Sequence, residues 1–376
     1  MLDLLELRKE IDQIDSQVVE LYEKRAKIVE DVARYKIETG KPVFDPEREK
    51  AMLKKLGEKT HSEFNCRGIQ ELYQQIISIS RRRQYQLLSE HGAAVPLGFT
   101  QVEALKKDGV TVVFQGVEGA YSYAAMNAFF GQNIDSFHVD TWKDAMEAIR
   151  AGRADYAVLP IENSTAGIVQ DNYDLLTKYD HYIVGEQIIP CQHALVGLPG
   201  ASLSHITDIY SHPQALMQCR DFLEEHKEWQ IHEYGNTAAA AKKIAEEKDI
   251  SQAAISSPFA AQFFGLSVLK ENIYTNAGNS TRFIIVTKDK IYWKGAGKIS
   301  VSYELPHATG SLYNSLSHFI YNGLNMTKIE SRPVPGKNWE YRFFVDFEGN
   351  LSSSAVKNTL LGLKEEAQNL RIHGNY

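Results

Sequence analysis

Two groups of residues in this sequence could do chemistry, and they lie in different parts of the chain. Near the N-terminus, Arg25 and Lys36 fall in a stretch whose apolar residues repeat at helical spacing. Further on, residues 158–167 (VLPIENSTAG) follow a short apolar run with a dense set of hydrogen-bonding side chains. Cations suit anion binding, and neutral polar groups suit substrate orientation or proton transfer. The alternatives are snorkelling surface cations and an ordinary helix N-cap.

A long helix is predicted to carry the two cations. Residues 3–38 contain no Gly or Pro, and apolar residues recur every three or four positions at Leu4, Leu7, Ile11, Ile14, Val18, Leu21, Ile28 and Val32. This spacing predicts a helix with a packed seam. Arg25 occupies one seam position, and Lys36, eleven residues on, points about 20° away at roughly 100° per residue. Because a buried cation needs an anionic partner, the pair favours an anion site.

Two shorter helices are predicted after this one ends near Gly40. Asp45 caps the second helix, and Pro46 occupies its first position, as is typical of helix starts. The third helix runs from about residue 65 to residue 88 and places Ser80 and Gln84 one turn apart.

The motifs LRKEID, DPERE and S-x-x-x-Q on these three helices resemble the all-helical chorismate mutase family, over residues 3–88. The resemblance implies that chorismate is bound by Arg8, Arg25, Lys36, Asp45, Arg48, Glu49, Ser80 and Gln84. Chorismate is a dicarboxylate whose rearrangement needs no nucleophile, and arginines can clamp its carboxylates. Lys36 and Gln84 are expected to act in catalysis by donating to the ether oxygen as it gains negative charge. Asp45, Arg48 and Glu49 are expected to hold the ring hydroxyl end.

Arg8 raises the question of a second chain. It lies 17 residues before Arg25, about 25 Å away along a straight helix with 1.5 Å rise per residue. One small substrate cannot touch both side chains in the same chain. Arg8 is therefore either a surface residue or part of a partner's site in an antiparallel dimer. The resemblance implies the second, and with it a homodimer or higher homo-oligomer with shared sites.

From about residue 110 onward, after a Gly- and Pro-containing linker at 91–98, short apolar strands alternate with helices. This alternation predicts an α/β domain with a mostly parallel sheet. Five predicted strand ends carry Ser, Thr, Asn or Gln, in the sequences EGAYS, ENSTAG, SHPQA, NTAAAA and NSTRF. We expect them to meet at one edge of the sheet and to form a polar cleft, with the helix start at Ser122 binding carboxylate.

The same motifs, in this order, resemble the prephenate dehydratase family across residues 110–287. The resemblance implies two α/β lobes around a cleft, similar to periplasmic binding proteins. It implies a prephenate site that contains Glu162, Asn163, Thr165, Ser211, Gln214, Thr281, Arg282 and Phe283. Thr281 is implied as the proton donor, with Asn163, Ser211 and Gln214 as supporting catalytic groups. Arg282 could bind a carboxylate or form a structural ion pair, and Phe283 is expected in the wall or core.

The C-terminal segment has the predicted order β-α-β-β-α-β, which is typical of a ferredoxin-like α+β fold. Its sequences TGSLYNSL and ESRP resemble the phenylalanine-binding variant of the ACT family, although the usual GALV is here GSLY. The resemblance implies an allosteric phenylalanine site containing Gly310, Ser311, Leu312, Glu330, Ser331, Arg332 and Pro333. The alternative is a plain dimerisation module.

Composition excludes several other functions. The net charge of −7 argues against nucleic acid as a partner, and no apolar run is long enough to cross a membrane. GxGxxG, P-loop, HExxH and GxSxG motifs are absent, so no cofactor or metal is expected. The three scattered cysteines and the absence of a signal pattern indicate reduced thiols in a cytoplasmic protein.

The element patterns predict a multidomain chain, and the resemblances imply a chorismate mutase domain at 1–90, a dehydratase domain at 108–288 and a regulatory domain at 297–376. The expected function is conversion of chorismate to prephenate and then to phenylpyruvate in phenylalanine biosynthesis, with feedback inhibition by phenylalanine. Two alternatives remain: an amino-acid-sensing regulatory protein without dehydratase activity, and a mutase fused to a dehydrogenase. The missing dinucleotide-binding motif weighs against the dehydrogenase.

Overall fold

The computed structural model describes residues 3–91, 97–275 and 278–376. Most of the predicted linker at 91–98 lies outside these described residues. The chain forms two compact units. The first unit comprises Met1–Gly98 and Ala296–Ile372, and the second comprises Phe99–Gly295 and His373–Tyr376.

The N-terminal part of the first unit is three helices, as predicted. They are α1 (Leu4–Thr39), α2 (Pro46–Gly57) and α3 (Glu63–Glu90). Gly40 ends α1 in the left-handed region, with φ 68°, a conformation that glycine adopts without steric cost. Asp45 caps α2 by accepting a hydrogen bond from the Arg48 backbone N–H at 3.1 Å. The local start and stop signals therefore place both ends of the α1–α2 connection.

The second unit alternates strands and helices. Its strands are β1 (Thr100–Val102), β2 (Thr111–Gln115), β3 (Asp135–Val139), β4 (Tyr156–Asn163), β5 (Gly167–Ile168), β6 (Tyr182–Pro190), β7 (Ala194–Gly197), β8 (Asp208–Ser211), β9 (Gln230–Glu233), β10 (Gln252–Ser256), β11 (Ser267–Lys270), β12 (Ser280–Thr287) and β13 (Ile291–Trp293). Its helices are α4 (Tyr121–Phe130), α5 (Trp142–Arg150), α6 (Gln170–Lys178), α7 (Pro213–Gln218), α8 (Arg220–Glu224), α9 (Thr237–Glu247) and α10 (Pro258–Phe264), and a 3-10 turn covers Leu203–His205.

The prediction of one mostly parallel sheet is wrong. Two main sheets are present, one with the order β6-β12-β4-β2-β3 and the other with the order β11-β7-β10-β8-β9. Each sheet mixes pairings, because β2 runs parallel to β3 and β4 while β12 runs antiparallel to β4 and β6. Two α/β layers with separate cores follow from this division. One core is built around Phe114 and Val158, and the other around Val196 and Ile244.

The antiparallel placement of β12 determines where the site forms. Its first residues lie beside the last residues of β4, with Thr281 opposite Asn163 and Arg282 opposite Glu162. Because the two strands run antiparallel, the start of β12 meets the end of β4 at the same edge of the sheet, although the strands come from distant parts of the sequence. Of the five polar ends expected at one sheet edge, ENSTAG and NSTRF are brought together by this antiparallel pair, whereas SHPQA and NTAAAA follow β8 and β9 of the other sheet, so that part of the prediction is wrong.

Residues 213–226 contain two short helices, α7 and α8, with a break at Cys219. The Gln218 carbonyl accepts a hydrogen bond from the Thr275 backbone N–H at 3.0 Å. This contact uses a carbonyl that a continuous helix would pair internally, and it holds Gln218 at the end of α7.

The C-terminal elements occur in the predicted order: β14 (Lys298–Leu305), α11 (Ser311–Tyr321), β15 (Met326–Pro333), β16 (Tyr341–Glu348), α12 (Ser354–Glu366) and β17 (Gln368–Asn375). Within the first unit the strand order is β15-β16-β14-β17. Helices α11 and α12 pack closely at Gly362, where an added Cβ would lie 2.3 Å from His318 Nδ1. In the second unit, Gly374 pairs with Ile183, and a Cβ there would lie 1.9 Å from the Ile183 carbonyl oxygen.

Candidate active sites

A pocket between α1, α2 and α3, about 90 Å³ in volume, is lined by every residue of the predicted chorismate set except Arg8. Arg25 on α1 donates to Ser80 Oγ on α3 at 2.6 Å. Lys36, three turns further along α1, donates to the Val43 carbonyl at 2.7 Å. The Gln84 side-chain amide bonds the Ser80 carbonyl at 3.3 Å on the same wall. Three helices thus place donors around one small cavity.

The charges of this pocket suit a doubly negative ligand. Arg25, Lys36, Arg48 and Arg81 supply four cations, while Asp45 and Glu49 supply two carboxylates on the α2 side. Burial and the neighbouring Arg48 charge lower the pKa of Lys36. Burial raises the pKa of Glu49, and the Arg81 cation only partly opposes that shift. In both groups burial is the largest cause of the shift, because it disfavours the charged form.

Arg8 lies apart from this pocket. It is exposed on the first turns of α1, and the unbroken helix separates it from Arg25 by the length predicted. The apolar residues on the same part of α1, including Leu7, Ile11 and Ile14, are exposed as well. In the single chain, the N-terminal half of α1 therefore presents both a cation and an apolar stripe to solvent.

A second site forms where β4 ends beside the start of β12, and Asn163 is its centre. The Asn163 Oδ1 accepts hydrogen bonds from the Thr165 N–H at 3.1 Å, the Thr165 hydroxyl at 2.8 Å and the Ala166 N–H at 2.9 Å. These donors fix the orientation of the amide. Its Nδ2 consequently donates to Thr281 Oγ1 at 3.0 Å and to Asn279 Oδ1 at 2.8 Å.

The Thr281 hydroxyl has a second neighbour, the thiol of Cys191, with Sγ 3.1 Å from Oγ1. Cys191 follows the end of β6 and is buried. Burial raises the pKa of this thiol, and the hydrogen bond with Thr281 opposes the shift only in part. The thiol therefore stays protonated at neutral pH and is available as a weak donor to the threonine oxygen.

A buried histidine extends the network. His193 Nε2 lies 2.8 Å from Gln218 Oε1, and His193 Nδ1 lies 3.2 Å from the Tyr121 hydroxyl. Gln218 Oε1 also accepts from Asn279, and its Nε2 donates to Thr165 Oγ1 at 3.1 Å. The glutamine oxygen is thus an acceptor, so His193 carries its proton on Nε2. Burial lowers the pKa of His193, and the hydrogen bond to Gln218 opposes this shift only in part. The lowered pKa favours the neutral ring at neutral pH.

The remaining predicted prephenate residues occupy different surroundings. Thr165 and Gln214 line a cavity of about 190 Å³ together with Gln218 and Asn279. The Ser122 hydroxyl donates to the Gln115 carbonyl at 2.6 Å. Ser211 has no exposed surface, and its hydroxyl donates to the Ile255 carbonyl at 2.6 Å. Both serine hydroxyls are therefore engaged by strand backbone, and neither belongs to the cavity lining.

Arg282 is held by several groups at once. Its guanidinium donates to Glu186 at 2.7 Å and to the Tyr376 hydroxyl at 2.6 Å, and it lies 3.8 Å from a Glu162 oxygen. Its side chain is 13 % exposed. Phe283, the next residue, is part of the core on the opposite face of β12. The geometry around Arg282 is that of a partly buried ion-pair network.

Comparisons with known proteins agree with this division of the chain. A model of the family described as "Chorismate mutase type II" matches residues 7–85, and one described as "Prephenate dehydratase" matches residues 112–291. A protein named "Bifunctional chorismate mutase/prephenate dehydratase" from Aquifex aeolicus is 32% identical over 381 residues, covering 100% of this chain and 98% of that protein. A protein of the same name from Buchnera aphidicola is 33% identical, covering 100% and 96%.

The chain belongs to the bifunctional chorismate mutase/prephenate dehydratase family. A solved prephenate dehydratase from Arthrobacter aurescens, described as a complex with L-Phe, is 35% identical with a TM-score of 0.65. The match covers 71% of the present chain and 89% of the Arthrobacter aurescens chain. The helical pocket falls in the mutase match, and the Asn163–Thr281 network falls in the dehydratase match.

The two motifs predicted to bind phenylalanine lie on separate elements of this bifunctional chain. Gly310, with φ 82°, precedes α11, and Ser311 and Leu312 form its first turn. Residues 330–333 end the edge strand β15, where Glu330 pairs with Phe344 and Arg332 pairs with Arg342 of β16. Leu312 is 38% exposed.

Sequence reasoning missed four members of the dehydratase network: Cys191, His193, Gln218 and Asn279. Asn279 opens the quoted NSTRF sequence, so its polar neighbours were the available signal. Cys191 and His193 lie in PCQHALV, where an apolar run hides them.

Among the described residues, no group of three or more His, Cys, Asp or Glu could hold a metal ion. No helix of the described chain is long and apolar enough to cross a membrane.

Proposed function

We propose that this chain converts chorismate to prephenate at the helical site and prephenate to phenylpyruvate at the β4–β12 site, as a bifunctional enzyme of phenylalanine biosynthesis. The observation that carries the proposal is that one chain, matched along its length by bifunctional relatives, has a cationic pocket and a neutral polar site in its two family-matched segments. Chorismate and prephenate are its small-molecule partners, and neither step requires a cofactor.

The mutase step depends on holding chorismate in its reactive conformer. The proposed roles are carboxylate binding by Arg25 and by Arg8 of a second chain, with the ring hydroxyl held by Asp45, Arg48 and Glu49. Lys36 and Gln84 donate to the ether oxygen as the C–O bond breaks and negative charge develops there. Ser80 orients the Arg25 guanidinium through its 2.6 Å contact. Positioning supplies the remaining rate acceleration.

The dehydratase step expels the ring hydroxyl while the ring carboxylate leaves as CO₂. Thr281 gives its hydroxyl proton to the departing oxygen, which leaves as water, and the electron pair of the carboxylate C–C bond enters the ring to complete the aromatic system. The threonine then regains a proton from solvent. Negative charge on Oγ1 during the transfer is stabilised by the Asn163 amide at 3.0 Å and the Cys191 thiol at 3.1 Å.

Substrate contacts in this step are proposed for Thr165, Gln214 and the helix start at Ser122. Ser211, with its hydroxyl bound to the β10 backbone, is proposed to support the site rather than to touch prephenate. Arg282 is proposed to hold Glu186 and Glu162 in place through its ion pairs. Because Glu162 directly precedes Asn163 and Arg282 directly follows Thr281, this contact helps to hold Asn163 and Thr281 beside each other.

Product identification tests the proposal. The full chain is incubated with chorismate alone at neutral pH, with a control without enzyme, and the products are separated. We expect phenylpyruvate. Prephenate as the final product leaves only the mutase, and unchanged chorismate contradicts the proposed function.

We also propose a homodimer in which α1 helices pair antiparallel and Arg8 serves the partner's mutase site. The exposed apolar stripe of α1 supports this arrangement, since Leu7, Ile11, Ile14, Val18 and Leu21 all face solvent in the single chain. An Arg8→Ala chain is mixed with an Arg25→Ala chain after separate purification and partial unfolding. Returned mutase activity in the mixed dimers supports shared sites, and no return contradicts them.

The C-terminal segment is proposed as an ACT domain that binds phenylalanine at Gly310, Ser311, Leu312, Glu330, Ser331, Arg332 and Pro333 and inhibits the dehydratase. The observed β-α-β-β-α-β order and the L-Phe complex of the Arthrobacter aurescens dehydratase support it. Titration of dehydratase rate with phenylalanine decides between this role and a plain dimerisation module. A falling curve supports feedback, and a flat curve contradicts it. Three domains at 1–90, 108–288 and 297–376 and a cytoplasmic location remain our predictions.

A further inference from the structure

Two carboxylates from the C-terminal part of the first unit contact residues that line the mutase pocket or directly adjoin its lining residues in sequence. Glu365 and Glu366 end α12, and α12 packs against α3. Neither residue belongs to the chorismate set predicted from the sequence. Their contacts lie within one compact unit, so the relation between α12 and the three N-terminal helices is part of that unit.

Glu366 acts on the pocket through Arg81, which lines it. The Arg81 guanidinium lies 2.6 Å from Glu366 and 3.4 Å from Glu49, the carboxylate proposed to hold the ring hydroxyl. The side chains of Arg81 and Glu366 are 12% and 13% exposed. His318 of α11 lies 3.1 Å from the other Glu366 oxygen. Arg81 is thus shared between two carboxylates and is held closer to the one on α12.

Glu365 fixes two backbone segments at once. Its Oε2 accepts hydrogen bonds from the Phe44 N–H at 2.9 Å and from the Tyr85 hydroxyl. Phe44 lies directly before Asp45, and Tyr85 lies directly after Gln84. Tyr85 is 3% exposed. One carboxylate oxygen therefore joins the start of α2 to the turn of α3 that carries Gln84.

The same segment supports the catalytic lysine. Lys36 donates to the carbonyl of Val43, which precedes Phe44. A shift of residues 43–45 would therefore move the acceptor that holds Lys36 as well as Asp45.

In the buried ion pair, burial pushes the pKa of Glu366 upward, but the His318 hydrogen bond and charge together with Arg81 outweigh it and leave the pKa lowered. Glu366 therefore remains an anion opposite Arg81 at neutral pH.

We propose that Glu365 and Glu366 are positioning residues of the mutase site, so that the C-terminal domain sets the geometry of the first reaction. Glu366 keeps Arg81 from pairing fully with Glu49, which leaves the Glu49 carboxylate free for the ring hydroxyl. Glu365 holds Asp45, Gln84 and the Lys36 acceptor in register. The inference rests on the proposed mutase activity. A conformational change in α11 or α12 would reach the mutase through these two carboxylates.

The test uses the full chain with Glu366→Gln, Glu365→Gln and a control, Glu348→Gln, which removes an exposed carboxylate from the same domain. Mutase activity is measured with chorismate, and dehydratase activity is measured with prephenate on the same preparations. We expect Glu366→Gln to lower mutase kcat/KM about tenfold, mainly through KM, and Glu365→Gln to lower kcat by a similar factor, because small misplacements are costly. The control and the dehydratase should stay within about twofold.

A compensating variant separates positioning from stability. If Glu366 acts by restraining Arg81, then combining Arg81→Met with Glu366→Gln should bring the raised KM most of the way back to the wild-type value. A purely structural carboxylate predicts that the double variant is worse than either single variant. Unchanged mutase activity in both single variants, an equal loss in Glu348→Gln, or no recovery in the double variant overturns the inference. An inactive wild-type mutase instead overturns the proposed function on which it rests.

Discussion

The two sites of this chain differ in the kind of side chain that forms them: charged in one, neutral and polar in the other. The mutase pocket is formed by charged side chains projecting from three helices, with Arg25, Lys36 and Glu49 around one cavity. The dehydratase site is formed by neutral groups at strand ends, with Asn163, Thr281 and Cys191 in contact. The difference follows from the chemistry proposed for each. Charge migrates within a dianion in the first reaction, whereas the second needs one proton and is driven by aromaticity.

The largest effect is expected from Thr281→Ala. Loss of the proposed proton donor should lower dehydratase kcat by about 10²- to 10⁴-fold and leave the mutase rate unchanged. The measurement is phenylpyruvate formation from prephenate, with prephenate formation from chorismate as the internal control. Near-normal dehydratase activity would remove Thr281 from the mechanism.

The matching change in the other site is Lys36→Met. Removal of one donor to the developing negative charge should lower mutase kcat by about 10²- to 10³-fold, with the dehydratase unaffected. Initial rates with chorismate measure the loss. A change confined to KM would show that Lys36 only binds the substrate.

The pH dependence should separate the charged site from the neutral one. Lys36 must be protonated to donate, and its lowered pKa places the alkaline loss of mutase activity below the ordinary lysine value. Glu49 must be ionised to accept, and its raised pKa places the acid loss above the ordinary glutamate value. Because the pKa of His193 is lowered, its neutral form persists down to pH values below the ordinary histidine value. Dehydratase kcat/KM should therefore stay level from about pH 6.5 to pH 9, and a slope in that range would contradict the neutral network.

A smaller effect is expected at Cys191. Cys191→Ala removes one weak donor to Thr281 and should lower dehydratase kcat by about 3- to 10-fold. Cys191→Ser replaces it with a stronger donor and should keep most of the activity. If both variants lose activity equally, the thiol acts by packing and not by hydrogen bonding.

Arg282 provides the smallest kinetic effect and the largest structural one. Arg282→Met breaks a network with Glu186, Glu162 and Tyr376. It should lower the thermal midpoint by about 5 °C with little change in KM for prephenate. A large rise in KM with an unchanged midpoint would return Arg282 to the role of carboxylate binder.

The sequence was sufficient for the features that are encoded locally. The ends of α1 and α2 follow from Gly40, Asp45 and Pro46, and the C-terminal element order follows from alternating periodicities. The direction of β12 was not accessible in this way. It depends on a pairing between residues more than a hundred positions apart, with Thr281 opposite Asn163.

The sites show the same limit. Helical spacing alone paired only Arg25 with Lys36, and the family resemblance supplied the other side chains of the predicted chorismate set, all of which except Arg8 line the mutase pocket. In the dehydratase site, the resemblance implied Ser211 as a supporting catalytic group, yet its hydroxyl bonds the neighbouring strand. Cys191 and His193 were missed because their partners come from β12 and α7, and only the folded chain brings these together.

The most direct test of two separate sites in one chain gives each disabled variant the substrate of the other reaction. Lys36→Met should form phenylpyruvate from prephenate at the wild-type rate, and Thr281→Ala should convert chorismate to prephenate at the wild-type rate and stop there. If Lys36→Met fails with prephenate, or Thr281→Ala fails with chorismate, the two reactions share a site and the account is contradicted.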